Sequence, residues 1–176
     1  MIRLQEALTG KTLNHQALID GMVAAFNGDR EHMCMGRSAS ARLQRALLLA
    51  KENDLLCIED SCEALGSNVN SRMVGTLGVA STFAFYPNKQ ITTGEGGIIL
   101  TDDKELADMC VSLRNQGRDA NAGWLQHARL GYNFRLSDIN CAIGIEQLKR
   151  IDSFVEKRRQ VANRYGDLLG DDDRLI

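Results

Sequence analysis

A chain of 176 residues, 44% hydrophobic and 25% charged, is long enough to bury a core and suits one domain or part of one. Its formal net charge of -2, with acids and bases interspersed, excludes nucleic acid or a membrane surface as the main partner. No apolar run is long enough to span a bilayer, and the start Met1-Ile-Arg-Leu-Gln-Glu6 lacks the apolar core of a secretion signal, so a cytoplasmic location is expected.

Residues 1–35 contain one amphipathic candidate helix, Asn14 to Phe26, ended by Asn27-Gly28; His15 and His32 have no partner at ligand spacing and read as surface or structural histidines. From Ala41 to about Asn53, Leu43, Ala46, Leu47 and Ala50 recur at helical spacing and predict a helix laid on a sheet. Leu55-Leu-Cys-Ile58 follows as a short continuous apolar run, the pattern of a parallel strand covered on both faces. Asp60 is then expected just past the carboxyl end of that strand, where open α/β sheets place ligand chemistry. It could equally cap a short helix over Ser61 to Leu65, and the residues alone leave both uses open.

Asn68 to Val74 reads as a small hairpin turning at Asn70-Ser71, with Gly75 and Gly78 bracketing the entry to the next strand. That strand, Val79 to Phe85, is β-branched and aromatic, and Pro87, the only proline, stops it. Lys89 therefore stands on irregular backbone after a strand end. Thr92-Thr93-Gly94-Glu95-Gly96-Gly97 turns the chain before Ile98 to Thr101 resumes as a strand. An amine held beside aromatic and apolar side chains is suited to condense with an aldehyde cofactor, of which pyridoxal phosphate is the usual one. The competing reading of Lys89 is a solvated surface lysine.

Asp102-Asp103 caps a helix with the apolar stripe Leu106, Met109, Cys110 and Leu113, closed by Asn115-Gln-Gly117. The polar loop Arg118 to Ala128 carries the only tryptophan, Trp124, which reads as an interface anchor. Gly131 to Arg135 is a turn before a helix capped by Ser137. Ile139, Ala142, Ile143 and Leu148, then Phe154, Val155, Val161 and Tyr165, mark two consecutive amphipathic helices ending at Gly170. The five cysteines (Cys34, Cys57, Cys62, Cys110, Cys141) stand singly and in odd number, which fits reduced thiols and gives no zinc spacing, so no metal is expected. Cys57 and Cys110 read as core residues, and Cys62 has no histidine to activate it.

Three of these stretches carry a resemblance. Tyr86-Pro-Asn-Lys-Gln-Ile-Thr-Thr-Gly-Glu-Gly-Gly97 closely resembles the lysine segment of the DegT/DnrJ/StrS family of pyridoxal-phosphate sugar aminotransferases. Ile58-Glu-Asp-Ser-Cys-Glu-Ala-Leu-Gly66 looks like its cofactor-ring segment, and Leu130-Gly-Tyr-Asn-Phe-Arg-Leu-Ser-Asp138 like its partner-subunit loop. The resemblance runs from Leu55 to Tyr165 and reaches weakly back to His32 to Gly36.

It implies an α/β fold, part of the fold-type-I large domain with a mostly parallel sheet flanked by helices. Residues 36–176 would form that partial domain, residues 1–35 a poorly matched segment, and the smaller C-terminal domain would be absent. By the same resemblance Lys89 is the Schiff-base lysine, Asp60 the partner of the pyridine nitrogen, and Glu63 a neighbour of the ring. Asn133 would reach the phosphate of the other subunit in a homodimer. The implied reaction moves an amino group from an amino acid to a keto sugar, which the same resemblance implies is nucleotide-linked. A lysine at position 89 also separates the chain from the family's dehydratase branch, which has histidine there. One departure is Ala84, where many members place a phosphate-holding serine five residues before the lysine. The alternative of another class is a folded remnant that self-associates and retains no cofactor.

Overall fold

A computed structural model describes residues 36–121 and 123–170. The expected helix over Asn14 to Phe26, His15, His32 and Cys34 lie outside these residues, as do the last six.

Helix α1 (Gly36–Glu52) begins upstream of the expected Ala41 and presents Lys51 to the negative end of its dipole. It closes as a Schellman motif: Asp54 takes φ 54°, the Leu55 N–H donates to Ala50 O at 2.8 Å, and the Asp54 N–H donates to Lys51 O at 3.3 Å. The strand expected over Leu55–Ile58 is displaced. Residues 55–57 make no ladder, and β1 runs Ile58–Asp60, because those three residues meet Ala80, Ser81 and Thr82 of β4 (Ala80–Ala84) in parallel register. Cys57 only accepts from the Val79 N–H at 2.8 Å. Asp60 is thus the last residue of its strand.

Between them, β2 (Asn68–Val69) and β3 (Arg72–Met73) pair antiparallel as expected. Asn70 and Ser71 take φ 49° and 63°, the pair of positive values that a two-residue type I′ turn requires. No short helix forms over 61–65; the chain turns there, with the Ala64 N–H donating to Ser61 O at 2.9 Å.

Strand β5 (Gly97–Leu100) joins the other edge of β4 antiparallel, giving the order β1-β4-β5. The α/β class and the parallel β1–β4 pair are as expected, while the described sheet is mixed. The lysine turn returns the chain directly beside β4 with no helix in the connection, and a direct return can only be antiparallel.

Three helices follow. In α2 (Lys104–Arg114) the Asp103 carboxylate accepts from the Leu106 N–H, and in α3 (Asp138–Leu148) the Ser137 hydroxyl accepts from the Asn140 N–H, so both expected caps are present. Helix α4 (Ile151–Leu169) ends at Gly170. The apolar core gathers on β4 and the turn after it, at Ala80, Phe83 and Ile91, with Ser61, Ser81 and Thr93 also buried. No helix among the described residues is long and apolar enough to cross a membrane.

Candidate active site

Alternation along the parallel pair divides the groups that the sequence left unassigned. Register partners share a face, so Asp60 and Thr82 lie together, with Ala84 two residues on. Glu59 and Ser81 occupy the opposite face, where the Ser81 hydroxyl donates to Gly75 O at 2.9 Å. Thr82 is thus the β4 hydroxyl on the Asp60 side.

Lys89 follows β4 on a tight, multiply tied turn. Its N–H donates to Tyr86 O at 3.0 Å, Phe85 donates to Gly96 O at 2.8 Å, and Thr93 donates to Phe85 O at 3.0 Å. The Thr92 hydroxyl donates to Phe85 O and accepts from the Gly94 N–H at 2.9 Å. Gly96 has φ 142°, and a Cβ there would stand 2.8 Å from Leu136 Cδ1, so no larger residue fits.

The two following helices hold this turn from outside. Asn140 of α3 donates to Thr93 O at 3.0 Å, Gln147 accepts from the Thr92 N–H at 3.4 Å, and Arg158 of α4 donates to Lys89 O at 2.7 Å. Lys89, Gln147, Phe154, Lys157 and Arg158 line an open groove of about 300 Å³.

The Lys89 side chain is only 16% exposed, and its Nζ forms an ion pair with Glu63 Oε1. Gln90 ties the same segment by donating to Glu63 O. Asp60 accepts from the Cys62 main-chain N–H at 3.3 Å. The Cys62 thiol and N–H hold the Asp60 carboxyl below the usual carboxylate range, and the Lys89 charge adds a smaller lowering, which places the amine within its field. Conversely, the bond to Asp60 pushes the Cys62 thiol up, helped by burial. The thiol itself donates to Thr82 O at 3.8 Å, on the Asp60 side of the strand pair.

The structure thus brings Asp60, Glu63 and Lys89 to one edge of the sheet and leaves Asn133 apart. The Asn133 side-chain carbonyl accepts from Arg135 Nε at 2.7 Å, and its backbone bridges Asn115. This segment is placed by two glycines where chains cross: a Cβ on Gly117 would lie 1.8 Å from Arg129 O, and one on Gly131 would lie 2.1 Å from Gly117 N. Trp124, expected as an interface anchor, is 84% exposed, with the Arg118 guanidinium 5.4 Å from its ring centre.

Several supporting residues escaped the sequence reading: Asn140, Gln147, Arg158 and Glu59. Asn140 and Gln147 are seven residues apart, two turns of one helix, which puts both on one face. Only the fold reveals that their partners lie 47 and 55 residues away in the chain.

An amine flanked by the Glu63 side-chain carboxylate and a second carboxylate, Asp60, at a strand end suit the amine and ring-nitrogen ends of pyridoxal phosphate. The phosphate end is poorer: Ala84 offers no hydroxyl, and the Thr82 hydroxyl already meets Glu59 O at 3.5 Å. Among the described residues no group of three or more His, Cys, Asp or Glu could hold a metal ion.

Comparison with known proteins shows what the chain is similar to. The model of the DegT/DnrJ/EryC1/StrS aminotransferase family matches residues 34–175. A GDP-perosamine synthase of Escherichia coli O157:H7 is 42% identical over 123 residues, 70% of this chain and 34% of that protein. A UDP-4-amino-4,6-dideoxy-N-acetyl-beta-L-altrosamine transaminase of Campylobacter jejuni is 43% identical over 118 residues, 66% of this chain and 31% of that protein. Among solved structures, Helicobacter pylori PseC, an aminotransferase involved in the biosynthesis of pseudoaminic acid, superposes with a TM-score of 0.68 at 34% identity, covering 74% of this chain and 35% of that one. An E. coli GDP-4-keto-6-deoxy-D-mannose-3-dehydratase with bound hydrated PLP gives 0.67 at 29% identity, covering 74% and 38%. The chain spans about a third of the length of the curated relatives it matches.

Proposed function

The chain belongs to the DegT/DnrJ/EryC1/StrS aminotransferase family, and from that premise we propose that it is part of a pyridoxal-phosphate enzyme that transfers an amino group from an amino acid to a nucleotide-linked keto sugar. The observation that carries this reading is the ion pair of Lys89, on the turn after β4, with Glu63, three residues beyond Asp60 at the carboxyl end of the parallel strand β1. When bound, the cofactor supplies an aldehyde for the amine and an electron-accepting ring.

This chain's own residues do the rest. Lys89 Nζ is the nucleophile and afterwards the group that carries a proton to and from the substrate carbon. Asp60, held ionised by Cys62, keeps a ring nitrogen protonated. Glu63 accepts from the Lys89 ammonium while no cofactor is present, and its release frees the amine. Arg158, Gln147 and Asn140 fix the turn, so that Lys89 is delivered from a rigid backbone. The sugar class rests on the relatives, whose names specify GDP- and UDP-linked products.

Asn133 takes its role in a homodimer, reaching the phosphate held by the other subunit. Its support is an exposed position on a segment rich in uncovered apolar side chains. The free thiols Cys57, Cys62, Cys110 and Cys141 suit a reducing, cytoplasmic location.

A second reading, a folded remnant without cofactor, is favoured by Ala84 and by the Glu63 carboxylate on Lys89. One titration separates the two. Pyridoxal phosphate titrated into the purified chain acquires a visible band that saturates at one adduct per chain, Lys89→Ala abolishes it, and Asp60→Asn leaves a band with altered pH dependence. A band indifferent to Lys89→Ala overturns the enzyme reading. Each missing charge-assisted phosphate contact weakens retention by about 1.5–3 kcal/mol, so saturation requires excess cofactor.

A further inference from the structure

Glu59 is the residue before Asp60 in β1 and points to the other face of the sheet. It is buried at 7% exposure, unusual for a carboxylate, and its partners explain why it is tolerated there. Oε2 accepts from the Gly75 N–H at 2.8 Å, while Oε1 accepts from the Leu77 N–H at 2.6 Å and the Gly78 N–H at 2.8 Å. Three main-chain donors of the link between the hairpin and β4 thus end on one side chain. Ser81 adds a bond to Gly75 O from the neighbouring strand.

The link itself admits no slack. A Cβ on Gly78 would stand 2.3 Å from Cys57 O, and one on Gly75, at φ 96°, would stand 2.6 Å from Phe83 Cζ. Glu59 therefore joins β1 to the start of β4 through a turn that has one available path. That path fixes the parallel register in which Asp60 faces Thr82.

We propose that Glu59 is a positioning residue, whose buried carboxylate sets the register of β1 on β4 from the back face and thereby places Asp60 beside Cys62 and Lys89 on the front face. Glutamine would not substitute. Its amide offers one acceptor oxygen, and its NH₂ group would confront a peptide N–H, leaving a buried donor unpaired. The significance of this for catalysis rests on the proposed function; the effect on Asp60 does not.

The test needs no cofactor. Cys62 reports on Asp60, since its main-chain N–H donates to that carboxylate at 3.3 Å and the same carboxylate pushes the thiol up, and thiolate content sets its alkylation rate. In Glu59→Gln, hydrogen exchange at the Gly75, Leu77 and Gly78 amides should accelerate at least tenfold, an order-of-magnitude expectation for lost hydrogen bonds. Alkylation of Cys62 near pH 8, followed on its own peptide by mass spectrometry, should rise roughly threefold or more. Asp60→Asn should produce the same rise, and Glu59→Gln should add nothing in that background.

If Glu59→Gln does not fold, Glu59→Asp, which keeps the charge on a shorter arm, is judged by the same two readouts. Faster amide exchange with unchanged Cys62 alkylation overturns the inference, because Glu59 would then hold the turn and nothing beyond it. Unchanged exchange overturns it too, as does an Asp60→Asn protein whose Cys62 reacts like wild type. Loss of the lysine adduct is measured separately, so failure here leaves the enzyme reading standing, and the reverse also holds.

Discussion

The turn around Lys89 and the segment from Trp124 to Ile139 are treated oppositely by the same chain. In the first, Ile91 and Thr93 are buried, and α3 and α4 supply bonds to backbone groups at Lys89, Thr92 and Thr93. In the second, Trp124, Leu125, Leu130, Tyr132, Phe134 and Ile139 all stand in solvent, and Leu130 reaches 88% exposure. Tyr132 and Phe134 stack only on each other, with centroids 4.9 Å apart. The lysine turn is complete within these residues, whereas the second segment carries large apolar side chains that the chain itself leaves uncovered. The part proposed to do chemistry is supported within the chain, and the part read as serving a neighbour is not.

The largest expected effect breaks the first region at its core. Phe83, at 4% exposure, lies on β4 against Gly75, and Phe83→Ala should destabilise the fold by about 3–5 kcal/mol through a cavity. Urea denaturation followed by circular dichroism measures it. A loss under about 1 kcal/mol would mean that β4 is not the packed centre that supports Lys89.

Next comes the buttress. Asn140→Ala removes the donor to Thr93 O and Glu95 O and should cost about 1–2 kcal/mol. It should also weaken the stoichiometric lysine adduct, since the turn loses its support from α3. An unchanged adduct in the Asn140→Ala protein would show that the turn holds itself.

How much of this was legible in the sequence depends on whether the cause was local. Caps at Asp103 and Ser137, the Asn70-Ser71 turn and the end of α4 at Gly170 follow from one or two residues, and each stands where expected. The strand near Leu55 was displaced because its limits are set by β4, a partner more than 20 residues away that an apolar run does not reveal. Strand β5 stands where a strand was expected, and only its antiparallel direction was not legible, for a related reason: the glycine turn could be read, but not the direction in which it returned the chain. At the candidate site, the places of Lys89 after one strand and Asp60 at the carboxyl end of another could be expected from local pattern. Glu59 could not, since its meaning lies in three N–H groups 16 to 19 residues downstream.

A smaller effect concerns acid. Arg129 pairs with Asp119 and also donates to Ser112, tying the loop after α2, and the Arg129 guanidinium holds the Asp119 carboxyl below its ordinary value. A lowered folded value means that the contribution is present above the ordinary carboxylate range and is lost as pH falls through the folded value. Hydrogen exchange of the 117–129 segment should therefore quicken below about pH 4, and Asp119→Asn should show that quicker exchange already at neutral pH. If protection in Asp119→Asn matches wild type at both pH values, the pair does not order this loop.

The smallest effect on stability is expected where the comparison is sharpest. Leu130 is 88% exposed, so replacing it removes little contact within the chain, and Leu130→Ser should change the unfolding free energy by no more than about 0.5 kcal/mol. Association should respond differently. If a second copy covers this segment, as the proposed homodimer requires, Leu130 is desolvated there, and burying a leucine contributes roughly 1.5–3 kcal/mol, more than tenfold in a dissociation constant. Sedimentation velocity over a concentration series reads that constant, and denaturation at the lowest concentration reads the fold. A large loss of stability in the dilute protein would mean that Leu130 packs within its own chain, and the contrast between the two regions would disappear. Unchanged stability with unchanged association would remove this segment from the dimer, and with it the route by which Asn133 reaches a neighbouring site.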